Sequence, residues 1–525
     1  MATPATEMKI RLDGLWQQGR RCEADGDLDG ARRAYEGVLE LHAAHVPARL
    51  RMSRFEQARD RYAAARDHAL AAADAVRLRG NNRLLGYVTL RLLDFAEEAE
   101  AAALILSADW QDPDVRRQAP TLAQHLLLCG RYADCLRFVE AMAAEGANAE
   151  LALVHGEVMR ALGHLEEARA DCDTAIGLRP VFVDAHWTRS KLGGGDGRAR
   201  AARLQRLLGT DALLGVERAY ACYALFHELD RLDETAAAWE ALDEGASLMR
   251  TAVRYDREGV ASRLGREAGR PWLEDWARLE TAVQPVPLFI VGLPRTGTTL
   301  LDRILGNHGW VSAVGERNDF SASVSGACGR FFGTLADERD PDALEALDWK
   351  AVGHAYLARM RRHASATAFA LDKNPANLFN VPLILRALPQ ARILCLRRAP
   401  MDAAFSNLKE LFHGGAYPYS YAFEDLASHV RASDAWMQHW ESIAPASVRI
   451  VPYEDLVADP ARQAVGIAAF CGLPPREALH EICRNSTPVA TASSAQVREP
   501  IDTRSVHAWR RYEAQLVPLA RLLQA

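Results

Sequence analysis

The sequence predicts two kinds of structure in one chain: an N-terminal all-α solenoid and a C-terminal α/β three-layer domain with a parallel sheet built around a phosphate-type loop. Three observations carry this. A pattern of small residues recurs every 33 or 34 positions before residue 249. After Pro285 the helical period gives way to short apolar runs separated by helical sequence. The 525 residues amount to three or four domains of roughly 150 residues, too many for one compact core. Hydrophobic residues at 49% and charged residues at 25% describe a folded chain and exclude disorder or a collagen-like repeat.

The repeat is clearest in residues 151–178, LALVHGEVMRALGHLEEARADCDTAIGL, followed by Pro180. Gly156, Gly163, Ala168, Ala175 and Pro180 stand at offsets 0, 7, 12, 19 and 24, where small residues let two helices cross closely and proline closes the second. This is tetratricopeptide spacing. The turn position recurs at Gly26, Gly130 and Gly197, with Asp230 in the equivalent place further on. Residues 62–106 are Ala-rich and helical but carry the motif poorly. Six or seven repeats are expected between about Leu12 and Met249, within a solenoid at 12–269. Each helical pair needs a neighbour to bury its apolar face. The concave surface is a candidate docking face for a peptide or protein, and a homodimer is equally compatible with it.

Residues 272–283 (WLEDWARLETAV) are expected to form a connecting helix, with the second domain at 285–525. There LFIV (288–291) reads as a strand, GLPRTGTT (292–299) as a loop and LLDRIL (300–305) as a helix. Gly292 and Gly297 allow backbone N–H groups to turn inward at a helix N-terminus, where the dipole favours an anion. The spacing is G-x-x-x-x-G, but Thr298-Thr299 stand where a nucleotide triphosphatase has Lys-Ser/Thr. The loop therefore suits an anion held by N–H groups, two hydroxyls and Arg295. Further strands are expected at 368–371, 392–396 and 448–451, and ligands of such a sheet lie at the strand C-termini. The positions to inspect are Arg295, Thr296, Gly297, Thr298 and Thr299; Asp372 and Lys373; Arg397 and Arg398; and Tyr453, Glu454 and Asp455.

The net charge of −6 offers no general attraction to nucleic acid or anionic lipid, so an anion site must be local. No apolar run of about 18 residues and no export-type leader is evident, so no membrane association and a cytoplasmic location are expected. Nine dispersed cysteines without a C-x-x-C pair point away from disulfide frameworks and zinc. Only five lysines stand against 58 arginines, so a lysine inside a motif carries weight, because ammonium and guanidinium are not interchangeable.

PRTGTTLLDRILGNH, then GER at 315–317, DKNP, RxPxDxxxxSN, YEDL and SSAQVREP together resemble sulfotransferases that use 3′-phosphoadenosine 5′-phosphosulfate (PAPS), especially the protein-tyrosine branch and its tetratricopeptide-fused bacterial relatives. The resemblance implies PAPS as co-substrate and no metal. It assigns the 5′-phosphosulfate to Arg295, Thr296, Gly297, Thr298 and Thr299, in agreement with the loop geometry. Arg398 and Ser406 match the pair for the 3′-phosphate, with Arg397 as the neighbouring alternative. Glu316 matches the catalytic base; a phenol of pKa near 10 gains about 10² to 10⁴ in rate from such a base. Lys373 matches the cation beside the bridging oxygen. Ser493 and Ser494 match a serine loop over the donor, and Tyr453 is expected to shape the nucleotide pocket. The family's lysine before the tryptophan is Ala508 here, so Arg504, Arg510 or Arg511 must substitute if that contact exists.

The expected activity is sulfuryl transfer from PAPS to a hydroxyl, with protein or peptide tyrosine foremost and a small phenol or carbohydrate as alternatives. A P-loop kinase or ATPase fused to a scaffold is the rival reading, with Asp372 as its metal ligand. A noncatalytic repeat protein with a decayed enzyme domain is the third.

Overall fold

The computed structural model describes residues 4–143, 146–273, 284–485, 487–489 and 496–524. Helices follow one another in hairpins: Pro4–Ala24 with Leu28–Leu41, Val46–Ala58 with Tyr62–Arg79, Leu85–Leu93 with Glu98–Ser107, Ala119–Leu128 with Tyr132–Ala143, Ala149–Leu162 with Leu165–Leu178, and Gly215–Arg231 with Thr235–Ala252. Val183–Leu192 and Gly197–Leu208 form a further pair by sequence and both pack on Gly215–Arg231.

Most hairpins turn through one left-handed residue: Gly26, Asp60, Ala96, Gly130, Gly163 and Asp233. Asp60 and Ala96 take this conformation without being glycine, so these two turns lack the glycine of the motif. Two expected turn positions shift. Gly197 opens a helix, the turn being made by Gly193, Gly194 and Gly195, and Asp230 lies in the last turn of Gly215–Arg231. At Gly156 an added Cβ would lie 3.2 Å from the Ala168 carbonyl oxygen, so the small residue is needed for the helix crossing.

The chain divides into two compact units, residues 1–146 with 318–333, and residues 147–317 with 334–525. In the first, the 318–333 excursion packs on the second hairpin: the Phe331 ring lies 5.2 Å from Tyr62, and Tyr62 N donates to Gly329 O at 2.9 Å. The second unit joins the remaining repeats to the α/β domain in one core, where Tyr223, Phe226, Leu229 and Leu242 of the repeats meet Phe405, Leu408, Tyr421, Tyr512 and Leu516. Trp272 is buried, and residues 274–283 of the expected connecting helix lie outside the described residues.

The sheet has five parallel strands, β1 (Val286–Gly292), β2 (Val311–Gly315), β3 (Phe369–Lys373), β4 (Arg392–Arg397) and β5 (Val448–Pro452), in the order β2-β3-β1-β4-β5. Both faces are covered. Leu288, Ile290, Leu371, Leu394 and Leu396 pack on Leu301, Ile304, Leu456 and Ile467, while Phe289 stacks on Tyr356 with centroids 5.5 Å apart. Four strands stand where the sequence places them, and β2 is additional. Among the described residues no helix is long and apolar enough to cross a membrane, and no disulfide joins two cysteines.

Candidate active site

β1 runs into the loop through Gly292, whose φ is 146° and whose missing Cβ would sit 2.6 Å from the Leu396 carbonyl oxygen of β4; only glycine allows that approach. Gly297 has φ 104°, and a Cβ there would meet the Tyr453 ring at 2.5 Å. Between them Arg295 is held at φ 64°. The helix Thr298–Gly306 then starts with N–H groups that have no intrahelical acceptor, the ordinary origin of an anion cradle. Thr296 is buried and its hydroxyl donates to Leu293 O at 2.7 Å. What Thr296 can offer an anion is therefore its backbone N–H rather than its side chain. Thr298 and Thr299 are buried at the first helical positions.

β4 ends at Arg397, and the next two residues lead into the helix Pro400–Leu408, which carries Ser406. Arg398 is 8% exposed. Its Nη1 donates to Ser406 Oγ at 3.0 Å and to Arg295 O at 3.1 Å, its Nη2 donates to Ser505 O, and the guanidinium lies 4.7 Å from the centroid of Tyr453. The predicted pair is thus assembled, and Tyr453 is clamped beneath it by a 2.5 Å hydrogen bond between its hydroxyl and Ser505 Oγ. Strand alternation separates the two arginines. Arg397 approaches Asp434, whose carboxyl burial pushes up and Arg397 draws back down. Glu454 accepts from Ala399 N at 2.9 Å, and Asp402 accepts from His507 N at 2.8 Å, so these acids fix the turns around the arginine. Asp402 and Ser505 were not singled out in the sequence.

Glu316 follows β2 directly, and Lys373 is the last residue of β3, 2% exposed. Lys373 Nζ donates to Glu316 Oε1. Arg317 turns back to Val314 O at 2.9 Å, and Asn374 Nδ2 donates to Arg317 O at 2.8 Å, tying the two strand ends together. A third ionisable group was missed: Asp302, on the loop's own helix, has Oδ1 buried without a hydrogen-bond partner. Burial raises its carboxyl to about 6, against the pull of Lys373 and Arg303 and with the repulsion of Glu316. Tyr417 holds a left-handed backbone, and its ring meets Phe412 at 4.8 Å; burial first, and the charge of Glu316 second, raise its hydroxyl.

Asp372, the metal ligand of the rival reading, is fully buried and accepts from Tyr356 Oη at 2.9 Å, beneath the stacked Phe289. His308 serves the fold, paired with Pro474 O at 3.1 Å and Trp310 N at 3.2 Å. Ser493 and Ser494 lie outside the described residues. Near Ala508, Arg504 is paired with Asp502 and Glu499, and Arg511 with Asp230 and Asp233.

Each strand therefore ends at a candidate residue: β1 at the Arg295–Thr299 loop, β2 at Glu316, β3 at Lys373, β4 before Arg398 and β5 before Tyr453. Residues 287–477 match the model of the sulfotransferase family. The matched segment contains all five strand ends. An uncharacterized protein of Aquifex aeolicus (strain VF5) is 29% identical over 381 residues, 71% of this chain and 49% of its own length. The chain spans about half the length of that curated relative. Among solved structures, the sulfotransferase domain of the Synechococcus PCC 7002 olefin synthase is 20% identical over 48% of this chain and 98% of its own, with a TM-score of 0.32. A tetratricopeptide repeat protein from Parabacteroides merdae ATCC 43184 is 11% identical over 46% of this chain and 93% of its own, with a TM-score of 0.34. The chain combines paired-helix repeats with an α/β domain whose residues 287–477 match the sulfotransferase family model.

Proposed function

We propose that the protein transfers the sulfuryl group of PAPS to a hydroxyl acceptor. The carrying observation is the convergence of an anion loop, the Arg398–Ser406 pair and the Lys373–Glu316 pair at one edge of the sheet, inside the segment that matches the sulfotransferase family. The loop N–H groups and Arg295 receive the 5′-phosphosulfate, and Arg398 with Ser406 receives the 3′-phosphate, each as donors to a dianion. In the transfer the acceptor oxygen attacks sulfur in line, its proton passes to Glu316, and the bond between sulfur and the bridging oxygen breaks. Lys373 stabilises the charge developing on that oxygen, and adenosine 3′,5′-bisphosphate leaves.

The acceptor we favour is a protein or peptide tyrosine. Tyr417, whose hydroxyl feels the charge of Glu316, and Phe412 packed against its ring support a phenol, and the repeats offer surface for a peptide. A small phenol or a carbohydrate hydroxyl is the alternative. The dispersed cysteines, without paired spacing, suit a reducing compartment such as the cytoplasm. Incubation with sulfur-labelled PAPS and a lysate tests the acceptor: label in protein, recovered as sulfotyrosine, supports the reading, and label confined to glycan contradicts it. The ATPase reading is disfavoured by the loop's missing lysine and by the burial of Asp372 under Tyr356.

A further inference from the structure

Glu410 follows the helix Pro400–Leu408 and directs its two carboxylate oxygens to different parts of the chain. Oε1 accepts from Lys191 Nζ at 2.5 Å, and Oε2 lies 3.6 Å from Arg295 Nε. Lys191 belongs to the repeat helix Val183–Leu192, and Arg295 to the loop after β1. One carboxylate, its side chain 6% exposed, thus joins a repeat to the anion loop. We propose that Lys191 is a positioning residue for the donor loop, acting through Glu410 to set where the Arg295 guanidinium sits. This deepens the donor reading and rests on it.

An ion pair that merely docks two surfaces belongs at a solvated rim, where it contributes little. This one is enclosed. Lys191 lies against Trp187, 4.8 Å from the ring centroid, and burial lowers its ammonium while Glu410 opposes that shift. For Glu410 burial pushes up, but Lys191 and Arg295 overcome it and hold the carboxyl below its ordinary range. Glu410 is therefore an anion shared between two cations. With Lys191 neutral, the whole carboxylate faces Arg295 in a medium of low dielectric and competes with the donor's 5′ group for the guanidinium. Neighbouring contacts hold the geometry: Tyr223 Oη donates to Leu408 O at 3.1 Å, and Asn407 Nδ2 donates to Pro294 O at 2.9 Å.

The test is calorimetric titration of the full chain with two probes, adenosine 3′,5′-bisphosphate and adenosine 3′-monophosphate. The ratio of their affinities reads the 5′ contact alone. Lys191→Met is expected to cut the preference for the bisphosphate about tenfold while leaving 3′-monophosphate binding unchanged. Lys191→Arg keeps the preference, and adding Glu410→Gln to Lys191→Met restores it, because the competing carboxylate is gone. Lys191→Gln supplies an independent second variant with the same direction of change as Lys191→Met. An unchanged preference in either neutral variant, or an equal loss for both probes, overturns the proposal. A wild-type chain that binds neither probe overturns the donor reading instead.

Discussion

At the scale of single residues, Arg398 ties the end of β4 to the loop after β1 and to the start of the helix after β5. It touches Ser406, the Arg295 carbonyl, Ser505 and the Tyr453 ring at once. Arg398→Ala is expected to weaken adenosine 3′,5′-bisphosphate binding at least tenfold by calorimetry, since it removes a charged donor from a buried site. Glu316→Gln is expected to lower turnover by about 10² to 10⁴ while that binding persists. Asp302 has a separate signature. A carboxyl near 6 in the folded chain and near 4 when unfolded binds more proton in the folded state between those values, so stability falls as pH rises from about 4 to 6. Asp302→Asn should flatten that slope in denaturant midpoints measured across the window; an unchanged slope would refute the assignment. The sequence showed Arg398 and Lys373 because strand ends are readable. It did not show Asp302, because nothing in LLDRIL distinguishes a surface acid from one turned under Lys373.

At the scale of elements, the loop after β1 depends on two glycines for two different reasons. Gly292 admits the Leu396 carbonyl, and Gly297 admits the Tyr453 ring. Gly292→Ala sets a side chain against immovable backbone at a positive φ and is expected to cost about 2 kcal/mol or more by chemical denaturation. The strands with apolar runs at 288–291, 368–371 and 392–396 were legible, as was VRIV at 448–451. β2 was not, because VSAVG offers only two valines among small residues, whereas VRIV in β5 carries three β-branched residues in four. The same limit appears in the repeats. The turns at Gly26, Gly130 and Gly163 declared themselves, whereas Asp60 and Ala96 adopt the left-handed turn without any compositional signal. Lys191 and Glu410 are 219 positions apart, so no local period could pair them.

At the scale of the whole molecule, the change from repeat to sheet sequence near Pro285 does not mark a change of core. The repeats from Ala147 onward share apolar packing with the helices around Phe405, Tyr421 and Tyr512. A fragment starting at residue 285 would expose that packing, and it is expected to aggregate or to unfold without cooperativity in thermal denaturation, whereas residues 147–525 should unfold cooperatively. This also explains how a repeat residue, Lys191, can be joined to the loop after β1 through Glu410. Calorimetry of the full chain against adenosine 3′,5′-bisphosphate and against ATP with Mg²⁺ tests whether PAPS is the donor: binding of the bisphosphate, lost in Arg398→Ala, is expected, and binding of ATP with Mg²⁺ in its place would refute it.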